Sequence, residues 1–156
     1  IRQARQTLSG VFILVRTSNP GSADLQQLMI DSKPTWAHVA AGLVEMVKEQ
    51  TDPTCNLSSV GVVVGATGPK DALVVRELLP TAPFLIPGYG AQGAKSEEAL
   101  SGLTVDKQGG VYKGGLINAS RSITHGEGVQ NASTVGEAVA AIKTAIHEAI
   151  FDLAVI

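Results

Sequence analysis

The chain has 156 residues, of which 44% are apolar and 17% are charged, so it is long enough for one domain with a core and too apolar for a disordered segment. Its net charge of −2 excludes a broad basic surface for nucleic acid, so any anion-binding site must be local. No apolar run approaches the roughly 20 residues that span a bilayer, and we expect no membrane partner.

Residues 1–9 have the composition of the end of a helix, and Gly10 separates them from an apolar run at 11–15 that predicts a buried strand. Turn-forming residues at 17–22 predict a loop after this strand. The next helix is predicted at 36–49, because apolar residues recur there three and four positions apart. Those residues are Val39, Leu43, Met46 and Val47.

The middle of the chain repeats this order of elements. Residues 50–58 are polar and predict a loop, and the apolar run at 60–64 predicts a second buried strand that Gly65 closes. Pro69 suits the first turn of a helix, and Pro80 ends that helix. Its apolar face contains Ala72, Leu73, Val75, Leu78 and Leu79.

The last part of the chain predicts two more strands, at 84–86 and 115–118. A short helix is expected after Ser96, and the glycines within 102–113 predict a loop. The final helix opens with a capping box at 134–137. We expect its apolar stripe to be buried, and the stripe contains Val135, Ala138, Val139, Ile142, Ala145, Ile146 and Ile150.

The order strand, loop, helix therefore occurs four times. The strands are nearly continuous apolar runs, which is typical of a parallel sheet covered by helices on both faces. Two architectures have such sheets: a doubly wound open sheet and a (β/α)8 barrel, which needs about 250 residues. Four units in 156 residues amount to half of a barrel, in a single domain over 1–156.

Three loops that follow strands combine glycine with small polar residues, and they lie at 17–21, 88–93 and 118–122. In both architectures ligands bind at the carboxyl ends of the strands. Glycines let backbone N–H groups approach an anion closely, and the guanidinium of Arg121 can bind a phosphate through two donors. The sequence therefore predicts a phosphate site at this end of the sheet.

These loops resemble the orotidine 5′-phosphate decarboxylase family, in the bacterial branch with the late motifs "TSNPGS", "VVGAT", "PFLIPGYGAQGG" and "NASR". The chain carries them in order, at 17–22, 63–67, 83–93 and 118–121, with Ala94 where the branch often has a second glycine. The resemblance extends from about residue 10 to about residue 150. It implies a (β/α)8 barrel, of which this chain supplies roughly the C-terminal half as about four βα units.

The resemblance also implies an activity, the conversion of orotidine monophosphate (OMP) to uridine monophosphate (UMP) and CO2 in pyrimidine biosynthesis, without a cofactor. Ser18 is then expected to bind the pyrimidine, Gln92 to bridge the pyrimidine and the phosphate, and Arg121 to bind the phosphate. Pro87 is expected to border the base. The predicted substrate-binding residues are Thr17, Ser18, Pro87, Gly90, Gln92, Ser120 and Arg121.

The reacting groups of the family follow the pattern Asp-x-Lys-x-x-Asp, and this chain does not contain it. The nearest match, at 31–33, has Trp36 in place of the second Asp, and Pro34 disfavours a strand there. We read Lys33 as a surface loop residue and identify no catalytic residue in this chain. The three histidines show no metal-ligand spacing, and no metal is predicted.

The chain is therefore expected to lack the N-terminal half of the barrel, which would be its partner, and the resemblance implies a homodimer. The single cysteine, Cys55, excludes an internal disulfide and fits the cytoplasm. Two other functions remain open from the residues. One is a non-catalytic half-barrel that binds a phosphate ligand and self-associates. The other is a barrel enzyme that acts on a different ribose or sugar phosphate.

Overall fold

Four parallel strands with helices between them form the centre of the computed structural model, which describes residues 2–7, 9–105 and 111–154. The helices of these residues are α1 (Arg2–Gln6), α2 (Ser22–Gln26), α3 (Thr35–Glu49), α4 (Pro69–Leu78), α5 (Ser96–Leu100), α6 (Arg121–Thr124), α7 (Glu127–Gln130) and α8 (Val135–Ala154). The strands are β1 (Val11–Arg16), β2 (Met29–Ile30), β3 (Lys33–Pro34), β4 (Thr51–Asp52), β5 (Leu57–Ser58), β6 (Val60–Val64), β7 (Phe84–Pro87), β8 (Thr104–Val105), β9 (Tyr112–Lys113) and β10 (Gly115–Asn118).

The central sheet has the strand order β1-β6-β7-β10, and all three pairings are parallel. Each new strand is added on the same side as the chain proceeds. A doubly wound sheet reverses its direction of growth at a switch point, whereas the strands of a barrel follow one another around the axis. The order therefore favours four consecutive units of a barrel.

The predicted strands and main helices are confirmed, with boundaries that differ by one or two residues. The helix predicted at 36–49 begins at Thr35, and the third strand, predicted at 84–86, extends to Pro87. The capping box of α8 is also present: Thr134 and Glu137 accept each other's backbone N–H at 3.2 Å. Of the predicted first helix, residues 1 and 8 lie outside the described residues.

The loop predictions were incomplete, because short elements leave no periodicity in a sequence. Helix α2 follows the first strand, the hairpin β4–β5 occupies the segment 50–58, and β8 pairs with β9. Of the loop predicted at 102–113, residues 106–110 lie outside the described residues. The prediction of a loop at Lys33 was also wrong, since Lys33 and Pro34 form β3 opposite β2. An edge strand of two residues tolerates proline, because no further strand needs its missing N–H.

The core lies between the sheet and the helices α3 and α4. Val62 and Phe84 from the sheet are fully buried there, together with Ala40 and Val75 from the helices. The prediction that all four strands are buried on both faces was wrong. The strand β6 is buried almost throughout, but in β10 the side chain of Leu116 is 65% exposed on the other face. Phe12 and Leu14 of β1 are exposed as well.

The predicted buried stripe of α8 was also wrong in part. Ala138, Ile142 and Ala145 are half-buried, because α8 packs against the short helices α5, α6 and α7. The other members of the stripe, which are Val135, Val139, Ile146 and Ile150, are exposed. An apolar stripe wider than the contacted surface explains the difference, since the side chains beyond that contact face solvent.

Arg76 of α4 connects its own unit with the next two, through the segments that precede β7 and β10 and the one that follows α5. Its guanidinium donates hydrogen bonds of 2.8 Å to the carbonyls of Ala82, Gly102 and Gly114. It also lies over the ring of Phe84, with 3.8 Å between the guanidinium carbon and the ring centroid. Burial lowers the pKa of Arg76 to about 10, so the group stays charged at neutral pH.

Within the residues that the structure describes, no helix has the length and hydropathy that a membrane crossing requires.

Candidate functional site

A cleft of about 720 Å³ lies at the carboxyl ends of the central strands. Three of the predicted substrate-binding residues line it, Ser18 after β1, Gln92 after β7 and Arg121 after β10. They come from three separate loops, which the parallel sheet brings to the same edge. The other lining residues are Arg16, Asn19, Pro20, Ser22, Ala23, Thr67 and Ala91.

Two glycines confine the side chain of Ser18. A Cβ at Gly65 would lie 2.7 Å from the backbone N of Ser18, and one at Gly88 would lie 2.9 Å from its Cβ. Gly88 also has a φ of +108°, which side chains rarely adopt. A Cβ at Gly88 would lie 3.2 Å from the Oε1 of Gln92, so Ser18 and Gln92 approach the same glycine. The glycines after β6 and β7 therefore make room for the two polar groups at the site.

The remaining four predicted residues do not line the cleft. The backbone N–H and the hydroxyl of Thr17 both donate to Oε1 of Gln26, at 3.0 and 3.2 Å. The carbonyl of Pro87 accepts a hydrogen bond of 2.8 Å from the backbone N–H of Ala66. Gly90 packs against Ser122, and the carbonyl of Ser120 accepts backbone bonds from the first turn of α6. These residues support the loops that carry Ser18, Gln92 and Arg121.

Arg121 is the cation that the cleft offers to an anion. It is exposed, and it has no carboxylate partner among the described residues. The second arginine of the cleft, Arg16, is already paired, because its Nε lies 2.9 Å from Oδ2 of Asp71. The sequence pointed to Arg121 through its loop, whereas Arg16 escaped notice at the end of an apolar run. Its partner is 55 residues away, and nothing local indicates the pair.

No lysine or carboxylate lines the cleft in the part of the chain that the structure describes. The same residues contain no group of three or more His, Cys, Asp or Glu side chains that could hold a metal ion. His38 contacts the carbonyl of Ile30 at 2.8 Å, and His125 contacts the hydroxyl of Thr124 at 2.7 Å, so neither belongs to the cleft. The cleft can therefore bind and orient a polar anion, but its described side chains include no lysine ammonium to protonate a carbanion.

A second cleft, of about 380 Å³, separates the glycine-rich loop from α8. The hydroxyl of Tyr89 crosses it and donates to Oδ2 of Asp152 at 2.8 Å. The hydroxyl of Ser96 donates to the other oxygen of Asp152 at 3.3 Å. Burial, the hydrogen bond and the charge of Asp152 raise the pKa of Tyr89 to about 12. The glycine-rich loop is thus attached to the last turns of α8.

The sequence matches the model of the orotidine 5′-phosphate decarboxylase / HUMPS family over residues 1–135. The chain belongs to this family. An orotidine 5′-phosphate decarboxylase of Halorubrum lacusprofundi is 44% identical to it over 115 residues, which are 73% of the chain and 39% of that relative. One from Caldicellulosiruptor bescii is 42% identical over 116 residues, which are 74% of the chain and 36% of that relative. The chain therefore spans less than two fifths of these relatives.

Solved structures show the same relationship. The chain is similar to a Toxoplasma gondii protein described as an orotidine-monophosphate-decarboxylase, with a TM-score of 0.67 and 31% identity over 96% of this chain and 54% of that one. For the OMP decarboxylase of Leishmania donovani, the TM-score is 0.55 and the identity 32%, over 93% of this chain and 48% of that one. The family resemblance and the fold class, part of a (β/α)8 barrel, are confirmed.

Proposed function

We propose that this chain supplies the nucleotide-binding portion of an orotidine 5′-phosphate decarboxylase, a carboxy-lyase that converts OMP to UMP and CO2. The observation that carries the proposal is the convergence of Ser18, Gln92 and Arg121 on one cleft. Each comes from a motif of the family, and together they offer a hydroxyl, an amide and a free guanidinium. A hydroxyl and an amide can hydrogen-bond a polar base, and a guanidinium can bind a phosphate.

Ser18 then forms a hydrogen bond with the pyrimidine, and Gln92 bridges the pyrimidine and the phosphate when its loop closes. Arg121 binds the phosphate with charge-assisted hydrogen bonds, together with backbone groups near Ser120. The proximity of Ser18 and Gln92 to Gly88 supports a shared contact with the base. Pro87 and Gly90 shape the loop that carries Gln92. Thr17 supports the loop that carries Ser18, since its hydroxyl and its backbone N–H both donate to Gln26.

The reaction needs more than binding. Loss of CO2 leaves an electron pair on C6 of the pyrimidine, and a proton donor must supply the hydrogen that replaces the carboxylate. We propose that this donor is the lysine of Asp-x-Lys-x-x-Asp in an N-terminal half of the barrel, and that 1–156 is the C-terminal portion of that domain. The exposed side chains of Phe12, Leu14 and Leu116 support this proposal, because a completed barrel would cover them. Neither a cofactor nor a metal takes part.

We further propose that the complete protein is a cytoplasmic homodimer that binds no nucleic acid. The assignment rests on family resemblance and on the single cysteine. A non-catalytic half-barrel that binds a phosphate ligand remains the second candidate. It is favoured by one observation, that no lysine or carboxylate lines the described cleft.

Titration of the 156-residue chain with UMP, with uridine and with inorganic phosphate tests the nucleotide site by calorimetry. We expect UMP to bind more tightly than either fragment, because only UMP occupies the contacts of Ser18 and Arg121 together. Equal affinities for UMP and phosphate would show that the base is not recognised, and would contradict the proposal.

A further inference from the structure

A buried ion pair begins in the wall of the cleft, at Arg16, and extends to Asp71 of α4 outside it. Arg16 is the last residue of β1 and is only 7% exposed. A shift in strand register after Leu14 places it opposite Val64. There its Nε donates to Oδ2 of Asp71, in the first turn of α4, at 2.9 Å. The same carboxylate oxygen accepts a bond of 3.1 Å from Gln27 at the end of α2.

The pair is connected to the backbone on either side of Ser18. Nη1 of Arg16 donates to the carbonyl of Thr17 at 2.6 Å. From the other side, the hydroxyl of Thr67 donates to the carbonyl of Ser18 at 3.3 Å. The two carbonyls that flank the α-carbon of Ser18 are therefore both held. With Gly65 and Gly88 against its side chain, Ser18 has little freedom to turn.

Burying a guanidinium is costly unless it is paired and its donors are used. Asp71 provides that compensation, and it does so from an element that does not line the cleft. We infer that Arg16 and Asp71 are positioning residues, which hold the peptide of Ser18 so that its hydroxyl meets the pyrimidine. The inference rests on the function proposed above, because it assigns the base contact to Ser18. Neither side chain needs to touch the nucleotide.

The test separates the base contact from the phosphate contact. Asp71→Ala leaves Arg16 without its carboxylate, so the carbonyl of Thr17 is held less firmly. We expect the affinity for UMP to fall about tenfold, as for other sites whose orientation is loosened. The affinity for ribose 5-phosphate, which has no base, should stay within about twofold of the unchanged chain, since Arg121 is intact. Both dissociation constants are measured by calorimetry.

Two matched variants control this experiment. Asp71→Asn keeps an acceptor oxygen for Nε of Arg16 and should recover most of the affinity for UMP. Glu77→Ala removes an exposed acid from the same helix and should leave the affinities for both ligands unchanged. If Asp71→Ala does not fold, Arg16→Lys replaces it, because a lysine keeps the charge but lacks the fork that reaches both Thr17 and Asp71. We expect the same UMP-specific loss.

The outcomes distinguish the inference from the proposed function. If the unchanged chain binds neither UMP nor ribose 5-phosphate, the proposed nucleotide site is wrong. If it binds both, and the Asp71→Ala and Arg16→Lys variants keep the original preference for UMP, the pair does not position Ser18. An equal loss for both ligands would also overturn the inference, because it would show support for the whole cleft and not for the base contact.

Discussion

The hydroxyl of Tyr89 donates a hydrogen bond of 2.8 Å to Asp152, and this bond attaches the glycine-rich loop after β7 to the C-terminal part of α8. It joins two segments that are 63 residues apart in the sequence. Asp152 also accepts from Ser96 at the start of α5, so one carboxylate holds three elements around the second cleft. The loop that carries Gln92 is therefore attached at Tyr89 to α8.

This bond predicts a specific dependence of stability on alkaline pH. The pKa of Tyr89 is raised to about 12 in the folded chain, whereas a free tyrosine has a pKa of about 10. The neutral phenol therefore stabilises the fold fully below pH of about 10, and the contribution is lost as pH rises towards about 12. Urea unfolding across this range should show a smaller pH-dependent loss for Tyr89→Phe than for the unchanged chain. Identical profiles would contradict the role of this bond.

Arg121→Ala should weaken UMP binding by about 2–4 kcal/mol, because it removes the charge-assisted contact with the phosphate. The affinity for uridine, which has no phosphate, should fall much less. The control is Lys143→Ala, which removes an exposed cation of α8 that does not line the cleft. Calorimetry with both ligands measures the difference, and equal losses for UMP and uridine would exclude Arg121 from the phosphate site.

Gln92→Ala should weaken UMP binding and leave the fold intact. The side chain lies in a loop, it is exposed, and its removal opens no core cavity. In the complete enzyme the same change should slow turnover, since the loop would close less firmly over the nucleotide. Thermal unfolding and calorimetry are the two measurements. If the variant instead loses several kcal/mol of stability, the loop is structural and Gln92 does not act as the contact proposed.

Arg76→Ala should destabilise the fold by about 2–4 kcal/mol, because it leaves several carbonyls without their donor and removes the contact with Phe84. Arg76→Lys should recover only part of this loss, since an ammonium cannot reach three carbonyls in one plane. Urea unfolding gives the free energies. The neighbouring exposed residue Glu77 supplies the control, as Glu77→Ala should cost little. If Arg76→Ala lowers the free energy of unfolding by no more than Glu77→Ala does, the bridging role of Arg76 is contradicted.

The elements that could be predicted from the sequence are those with a strong local pattern. Nearly continuous apolar runs located β1, β6, β7 and β10, and prolines located both ends of α4. The hairpins of two-residue strands and the short α2 could not be predicted, because so few residues establish no period. The exposed half of the α8 stripe was missed for a different reason. An apolar pattern shows which residues share a face, but not how much of that face another element covers.

In the candidate site, too, only the features with a local sequence pattern could be predicted. The glycine-rich loop and the loop of Arg121 were recognisable because their motifs are local, and the parallel strands bring them together. The pairs Arg16–Asp71 and Tyr89–Asp152 were not recognisable, because each joins residues that only the tertiary fold makes neighbours. Arg16 ends a strand of apolar residues, but this position does not indicate its partner, which is 55 residues away.

The most direct test of the central claim is decarboxylation by the 156-residue chain, with and without an N-terminal segment that carries Asp-x-Lys-x-x-Asp. The loss of OMP absorbance measures turnover. We expect no activity from the chain alone, and restored activity when the two pieces close one barrel around a shared site. Robust turnover by the chain alone, shown by mass to be free of the missing half, would contradict the account. A lysine of this chain, Lys33 first among them, would then be catalytic.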